Sequence, residues 1–329
     1  MPITHRERLE TILSGEKPDR PAVALWHHFP VDDQNPITLA KATESFQKQF
    51  DFDLLKVMPA SSFCLKDWGA EDEWRGNPEG TRDYTKRVIT HPDDWETLPT
   101  LDPEKGHLGQ QLQCLALLNE TFSDHTPVLQ TIFNPLSQAK NLVGPKKLLE
   151  HIRLYPDAVH SGLKTIHETT LQFIASAKKF NISGIFFAIQ HASFVEMTEE
   201  EYQVFGVNYD LPLIDAAQDL WANMVHIHGN AIMFDLISNY PVQILNWHDR
   251  ETSPSLEYGL KRFPGTVCGG IGRIDNFVLG NPKTIRDEAL KALEETEGKR
   301  LILGTGCVLP LTTPYGNIKS ARTFVEDAR

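Results

Sequence analysis

Cysteine is scarce in this chain of 329 residues, and the four present, Cys64, Cys114, Cys268 and Cys307, are widely scattered. That excludes a disulfide scaffold and predicts four free thiols, each with the default role of a small buried hydrophobe. Long apolar runs are also missing: no stretch approaches the roughly 20 residues needed to cross a bilayer. The opening MPITHRERLETILSGEKPDRP is charged and amphipathic without an apolar export core, so a cytoplasmic location is the expectation. Positive charge is in deficit, with 32 Lys and Arg against 44 Asp and Glu and a net charge of -12. Such a surface repels a phosphate backbone and argues against general nucleic-acid binding. An anionic small molecule is not excluded, because a local pocket can oppose the global charge. No GxxxxGK[ST], H-E-x-x-H or G-x-S-x-G segment occurs. GGIG at 269–272 lacks the spacing and the early βαβ setting of a dinucleotide fingerprint.

What is present is a regular alternation of short apolar strands and helical segments. Thr4 followed by Glu7 fits a capping box, and Leu9, Ile12 and Leu13 make the next segment a short amphipathic helix. AVALWHHF, ending at Phe29, reads as a buried first strand. A helix at about 38–50 leads to a second strand, DLLKVM, at 53–58. Helices follow at about 108–120 and 145–179, the latter with a break at Pro156, then at about 255–262 and 282–297. Strands are expected near 22, 53, 127, 184, 224, 242, 265 and 300. Eight such strands favour a closed (β/α)8 TIM barrel, an α/β fold, over an open sheet. One domain spanning 1–329 is expected, since no composition shift or repeat divides the chain. The stretch at about 60–107, with Trp68, Trp74 and Trp95, reads as an irregular excursion over one end, containing a hairpin.

A TIM barrel recruits catalytic groups at the carboxyl ends of its strands. His226 and His228 end an apolar strand two residues apart, so both face the same side if the strand stays extended. They could bind one metal ion or be hydrogen-bonded structural histidines. Cys307 follows GTG at the end of the last strand, where a thiol is better placed for a metal than for the core. Two imidazoles and a thiolate form a reasonable three-ligand zinc set with an open fourth position.

His248 and Asp249 end another strand. His248 could carry a proton, hold substrate or be a further ligand, and Asp249 could fix a histidine tautomer or cap a helix. Asn246 and Trp247 are candidate substrate contacts, although Trp247 could fill the core. Gln190 and His191, at the strand end in SGIFFAIQHAS, share the rim position or make a loop hydrogen bond, and His28 is preferred over His27 at the end of the first strand. A Cys307-nucleophile hydrolase with a histidine base is an alternative that metal dependence would separate.

These segments resemble the uroporphyrinogen decarboxylase superfamily over almost the whole chain. THRERLETILSGEKPDRPAVALW resembles its opening helix, turn and first strand, and GTGCVLPLTTPYGNIKS its closing segment. Where the decarboxylases carry an arginine-rich MRQAGRYLPE segment, this chain has WHHFPVDDQNP. It also has QHAS for DSWAG, and Gly306 with Cys307 for a Gly-His-Gly motif; the aspartate after the second strand is not recognisable at 56–60. The branch of zinc-dependent corrinoid methyltransferases of the methylcobamide:coenzyme M type uses His-x-Cys and a distal Cys. His226, Ile227 and His228 fit with histidine in place of the middle cysteine, and Cys307 matches the distal one.

The resemblance therefore implies an enzyme with a zinc site at His226, His228 and Cys307. It implies methyl transfer between a corrinoid protein partner and a small thiol or related acceptor. Some relatives are homodimers, but no segment here marks an interface. The competing activities are porphyrinogen-type decarboxylation, a metal-assisted lyase or hydrolase reaction, and ligand binding without turnover.

Overall fold

A computed structural model describes residues 3–122 and 125–327. Its ten strands are β1 (Ala22–Val23), β2 (Leu55–Lys56), β3 (Glu71–Glu73), β4 (Asp83–Lys86), β5 (Val128–Phe133), β6 (Gly184–Ile189), β7 (Met224–Ile227), β8 (Ile244–Trp247), β9 (Thr266–Gly270) and β10 (Leu301–Gly304). Eight pair in parallel in the order β1-β10-β9-β8-β7-β6-β5-β2. This is the TIM-barrel sheet expected from the sequence, with each anticipated strand at its place. The ends of the order meet where the Asp53 N–H donates to the Val23 carbonyl at 2.9 Å. The Asp53 carboxylate accepts the Val23 N–H at 2.8 Å in return.

β1 is shorter than the sequence pattern suggests. Beyond Val23 the chain keeps single backbone contacts, Ala24 N–H to the Leu303 carbonyl and Leu309 N–H to the Trp26 carbonyl, instead of a continuous ladder.

The barrel strands are buried on both faces, which is why they read as continuous apolar runs. Side chains alternate between two apolar layers. Met224, Ile244, Cys268 and Ile302 pack together in the barrel interior. Val225, Leu245, Trp247 and Val267 pack outward with the helical layer.

Helix boundaries follow local chemistry. The capping box of Thr4 and Glu7 opens the helix His5–Leu13. Pro156, at the first position of a new helix, separates Pro145–Leu154 from Pro156–Ala177, as a proline lacking its N–H does most cheaply.

The excursion carries the antiparallel hairpin β3–β4. Trp95 anchors it, fully buried, with its indole N–H donating to His151 Nδ1 at 3.0 Å. Gly162 makes this possible: a Cβ there would lie 2.4 Å from the Trp95 ring. Trp68 adds a second tether, donating to the Pro99 carbonyl at 2.8 Å. Arg82, Asp83 and Tyr84 of the hairpin region thereby reach the cavity at the barrel mouth.

Candidate metal centre

Parallel register places Ala188, His226, Asn246 and Cys268 side by side on β6, β7, β8 and β9. His226 and Asn246 share strand parity with the interior residues Met224 and Ile244, so both point into the barrel. Their pairing fixes a tautomer. The Asn246 amide N–H group donates to the carbonyls of Cys268 at 2.8 Å and Thr305 at 3.0 Å. Its oxygen is therefore turned to His226 Nδ1, 2.6 Å away, which must carry the proton and donate it. The lone pair of His226 is left on Nε2, facing Cys307 Sγ at 3.9 Å. Orienting a ligand histidine through its other nitrogen is the usual outer support of a metal site.

His228 brings Nδ1 to 3.8 Å from the same sulfur. His248 Nε2 lies 3.3 Å from that Nδ1, and its own Nδ1 lies 3.4 Å from Glu251 Oε2. Cys307 gets this close because Gly306 precedes it: a Cβ at 306 would stand 2.5 Å from His248 Cα. One ligand atom from each of His226, His228, His248 and Cys307 lies within 4.8 Å of all the others.

Tetrahedral zinc with ordinary Zn–N and Zn–S bonds holds its donor atoms roughly 3.3–3.6 Å apart. Spacings of 3.3, 3.8 and 3.9 Å come within a few tenths of an ångström of that figure. These three spacings and the donor chemistry suit zinc. His248 thus stands in the same cluster as the three residues expected from the sequence.

Electrostatics favour the ligand forms. Burial pushes the Cys307 thiol up, but hydrogen bonding from His226, His228 and His248 outweighs it and holds the group well below its ordinary range. Burial pushes His226 down, with Cys307 opposing. For His248 burial also acts downward, yet Cys307 and Glu251 raise it to about 9. Metal binding at His248 would release that proton.

A cavity of about 360 Å³ opens on this group, with His226, His228 and Cys307 in its wall. His28 and Gln190 line it too. His28 is buried, pushed down to about 3 by burial and by the nearby Lys56 charge. Its neighbour His27 instead packs against Phe29 and Phe46. Gln190 accepts a hydrogen bond from Lys140 Nζ.

The remaining expected residues lie behind or beside this wall. Asn246 acts on His226 rather than on the cavity. Trp247 has outward parity, is fully buried, donates to the Pro254 carbonyl at 2.8 Å and packs on Phe234. Asp249 accepts the Gly270 N–H at 3.0 Å, and burial raises it to about 7. Its carboxylate sits against the β9 backbone, so the tautomer-fixing role considered for it falls to Asn246. His191 is buried, pushed down to about 3 by burial, and lies outside the cavity wall.

The sequence reading passed over Lys56, Lys140 and Arg87, which all line the cavity. For Lys56 a signal existed. It stands between Leu54 and Met58 at the parity of the interior cluster, a lysine in an apolar strand pointing inward. The lack of arginine after the first strand therefore does not make the pocket poor in cations, because they come from β2, the excursion and the helix Pro135–Val143.

Comparison with known proteins agrees with this architecture. A methylcobamide:CoM methyltransferase, MtbA, from Methanosarcina acetivorans is 20% identical over 247 residues, covering 71% of this chain and 68% of that protein. A methyltransferase from Methanosarcina mazei superimposes with a TM-score of 0.85 at 17% identity, covering 99% of both chains. A B12-independent methionine synthase from Shewanella sp. W3-18-1, solved with selenomethionine, aligns with a TM-score of 0.59 at 12% identity over 94% of this chain and 96% of that one. The pattern of the uroporphyrinogen decarboxylase (URO-D) family matches residues 4–328. The chain belongs to the uroporphyrinogen decarboxylase family.

Proposed function

We propose that this protein is a zinc-dependent methyltransferase that moves a methyl group between a corrinoid protein and a small thiol or related acceptor. The observation that carries the reading is the Cys307 thiol, 3.9 Å from the tautomer-locked His226 Nε2 and 3.8 Å from His228 Nδ1, open to a cavity at the barrel mouth. When bound, zinc would supply a Lewis acid that keeps an acceptor thiol deprotonated near neutral pH.

The chain's own residues do the rest. Cys307, His226 and His228 hold the metal at the cavity wall, and Asn246 keeps His226 in the ligand tautomer. His248 can carry a proton beside the reacting sulfur, with Glu251 and Arg273 behind it. The cavity positions the acceptor. A methylated corrinoid docked over the barrel mouth presents the methyl group: the new sulfur–carbon bond forms as the cobalt–carbon bond breaks, its electron pair staying with cobalt. The methyltransferase named as a methylcobamide:CoM enzyme supports this choice of donor.

The test is element-resolved metal content of untagged protein, followed by methyl transfer from methylcobalamin to a panel of thiols. About one zinc per chain and metal-dependent thioether formation are expected. Protein purified from zinc-replete medium without stoichiometric metal would sink the reading. Lys56, Lys140 and Arg87 in the cavity favour a second reading, decarboxylation of a polycarboxylate. Chelation separates the two, since it stops methyl transfer and leaves decarboxylation intact.

A further inference from the structure

The excursion lies against the barrel mouth as a strap, and its tip is fastened to three different rim segments. The Pro78 carbonyl accepts the Leu311 N–H at 2.8 Å, from the chain after β10. Gly80, at φ +81, lies so close to His28, after β1, that a Cβ there would stand 2.4 Å from the His28 Cβ. Between them Glu79 pairs with Arg273, which follows β9 and opens the π-helix Arg273–Val278. The turn closes on itself through the Gly80 N–H to the Asn77 carbonyl at 2.8 Å and the Glu79 N–H to Asn77 Oδ1 at 2.9 Å. The residues that follow, Thr81 to Tyr84, belong to the cavity wall, so the seat of this turn sets where that wall stands.

Arg273 serves a second carboxylate. Its Nε donates to Glu251 Oε1 at 2.7 Å and its Nη2 to Glu251 Oε2 at 3.3 Å, while Nη1 is given to Glu79. Glu251 Oε2 in turn lies 3.4 Å from His248 Nδ1, and His248 Nε2 lies 3.3 Å from His228 Nδ1. A planar guanidinium presents five N–H donors in a fixed fork, which lets one side chain hold two carboxylates at once. Without it Glu79 and Glu251 would face each other as like charges. The Arg273 side chain is only 11% exposed, so its pairs are less screened than those on the open surface. The backbone beneath it is held as well: the Gly272 N–H donates to Glu288 Oε2 at 2.7 Å, and the Phe277 N–H to the Gly272 carbonyl at 3.2 Å. Among the described residues the Glu79 carboxylate has no hydrogen bond to His226, His228, His248 or Cys307. Arg273 and Glu251 are its path to them.

We propose that Arg273 is a positioning residue that couples the strap to the metal centre. One guanidinium seats the turn Asn77–Gly80 beside the cavity and holds Glu251 against His248. Each carboxylate restricts the rotamers of Arg273 for the other, so loss of either makes the remaining pair costlier to hold. Seating of the strap and orientation of His248 are then a single state of the molecule. The inference rests on the reading of this cavity as the site of turnover, and it gives the excursion a part in that turnover.

The experiment is amide hydrogen exchange of the protein as purified, comparing the wild type with Glu79→Gln, Arg273→Met and Arg273→Lys. The Gly80 and Leu311 amides report the strap. The Glu251 and Thr252 amides, both bonded to the His248 carbonyl at 2.8 Å, report the turn that carries His248. Glu79→Gln is expected to speed exchange at both pairs of amides by about tenfold, although residue 79 bonds to neither Glu251 nor Thr252. Arg273→Met should speed it further. Arg273→Lys, whose ammonium lacks the fork, should protect only one of the two pairs. Unchanged exchange along β6 identifies a folded variant, and Glu79→Gln, at a partly exposed side chain, decides alone if an Arg273 variant does not fold. Faster exchange at Gly80 with none at Glu251 and Thr252 in Glu79→Gln overturns the coupling, as does no change at either pair. Full protection of both pairs by lysine overturns the role given to the fork. Exchange is read without turnover, so coupling in a protein that transfers no methyl group keeps this inference and removes the proposed function. Methyl transfer from methylcobalamin, with Glu251 and Thr252 indifferent to Glu79→Gln, does the reverse.

Discussion

The two ends of the barrel treat buried charge in opposite ways. At the amino-terminal end, the Asp53 carboxylate is fully buried and saturated. Arg8 donates at 2.8 Å, Arg20 at 2.7 and 3.0 Å, His5 at 2.8 Å and the Val23 N–H at 2.8 Å. These contacts outweigh burial and hold Asp53 far below the ordinary carboxylate range. At the carboxyl-terminal end, Lys56, Lys140 and Arg87 have no carboxylate in ion-pair contact among the described residues, and a thiol sits among three imidazoles. One end is closed electrostatically and joins β1 to β2. At the other, Cys307 and Glu196 oppose Lys56 and Lys140 without forming an ion pair with them among the described residues. Matched charge at the base and unmatched charge at the mouth is the division expected when a barrel confines its chemistry to the carboxyl ends of its strands.

The sharpest way to break this contrast is to remove the thiol. Cys307→Ala should reduce zinc to background and lower turnover by at least about two orders of magnitude, with thermal unfolding little changed. Elemental analysis beside a steady-state assay reads both, and retained stoichiometric zinc would show that the metal is held elsewhere. The complementary change at the base is Asp53→Ala. It leaves Arg8 and Arg20 buried without their anion, so a loss of about 3–5 kcal/mol in urea unfolding is expected. Zinc content of the folded fraction should stay the same.

A smaller effect is expected at Asn246, which is not in the cavity wall and acts through His226. Asn246→Ala should weaken zinc affinity by about 10–100-fold, measured by competition with a chromogenic chelator. An unchanged affinity would mean that the Nδ1 contact does not govern the ligand tautomer.

The smallest effect concerns pH. Burial pushes His5 down, but Asp51 and Asp53 outweigh it and raise His5 from its ordinary 6.5 to about 9. Its contribution to stability is therefore complete below pH 6.5 and lost as pH rises through about 9. The stability gap between the wild type and His5→Gln should be wide at pH 6 and narrow at pH 10, and a gap that widens with pH would contradict the assignment.

Much of this architecture was legible in the residues, and the reason is parity. Strand periodicity located the eight barrel strands, and the spacing of His226 and His228 put both imidazoles on one side. Residue 307 follows the last strand, so Cys307 was already placed at the rim. The same parity argument, applied further, separates the inward Asn246 from the outward Trp247 and marks Lys56 as an inward cation. Lys140 and Arg87 carry no such mark. They reach the cavity from a helix and from the excursion, whose paths depend on the anchoring of Trp95 and Trp68.

By itself the sequence determined the strand and helix order, the barrel class and the set of residues able to ligate a metal, because these depend on local periodicity and side-chain chemistry. Only the tertiary structure decided that Asn246 sets the His226 tautomer and that His248 stands beside His228 and Cys307. It alone also showed which cations line the cavity without a carboxylate ion pair among the described residues. Those properties belong to contacts between strands and loops far apart in the chain, where closure of the barrel, and not neighbourhood in sequence, sets the distances.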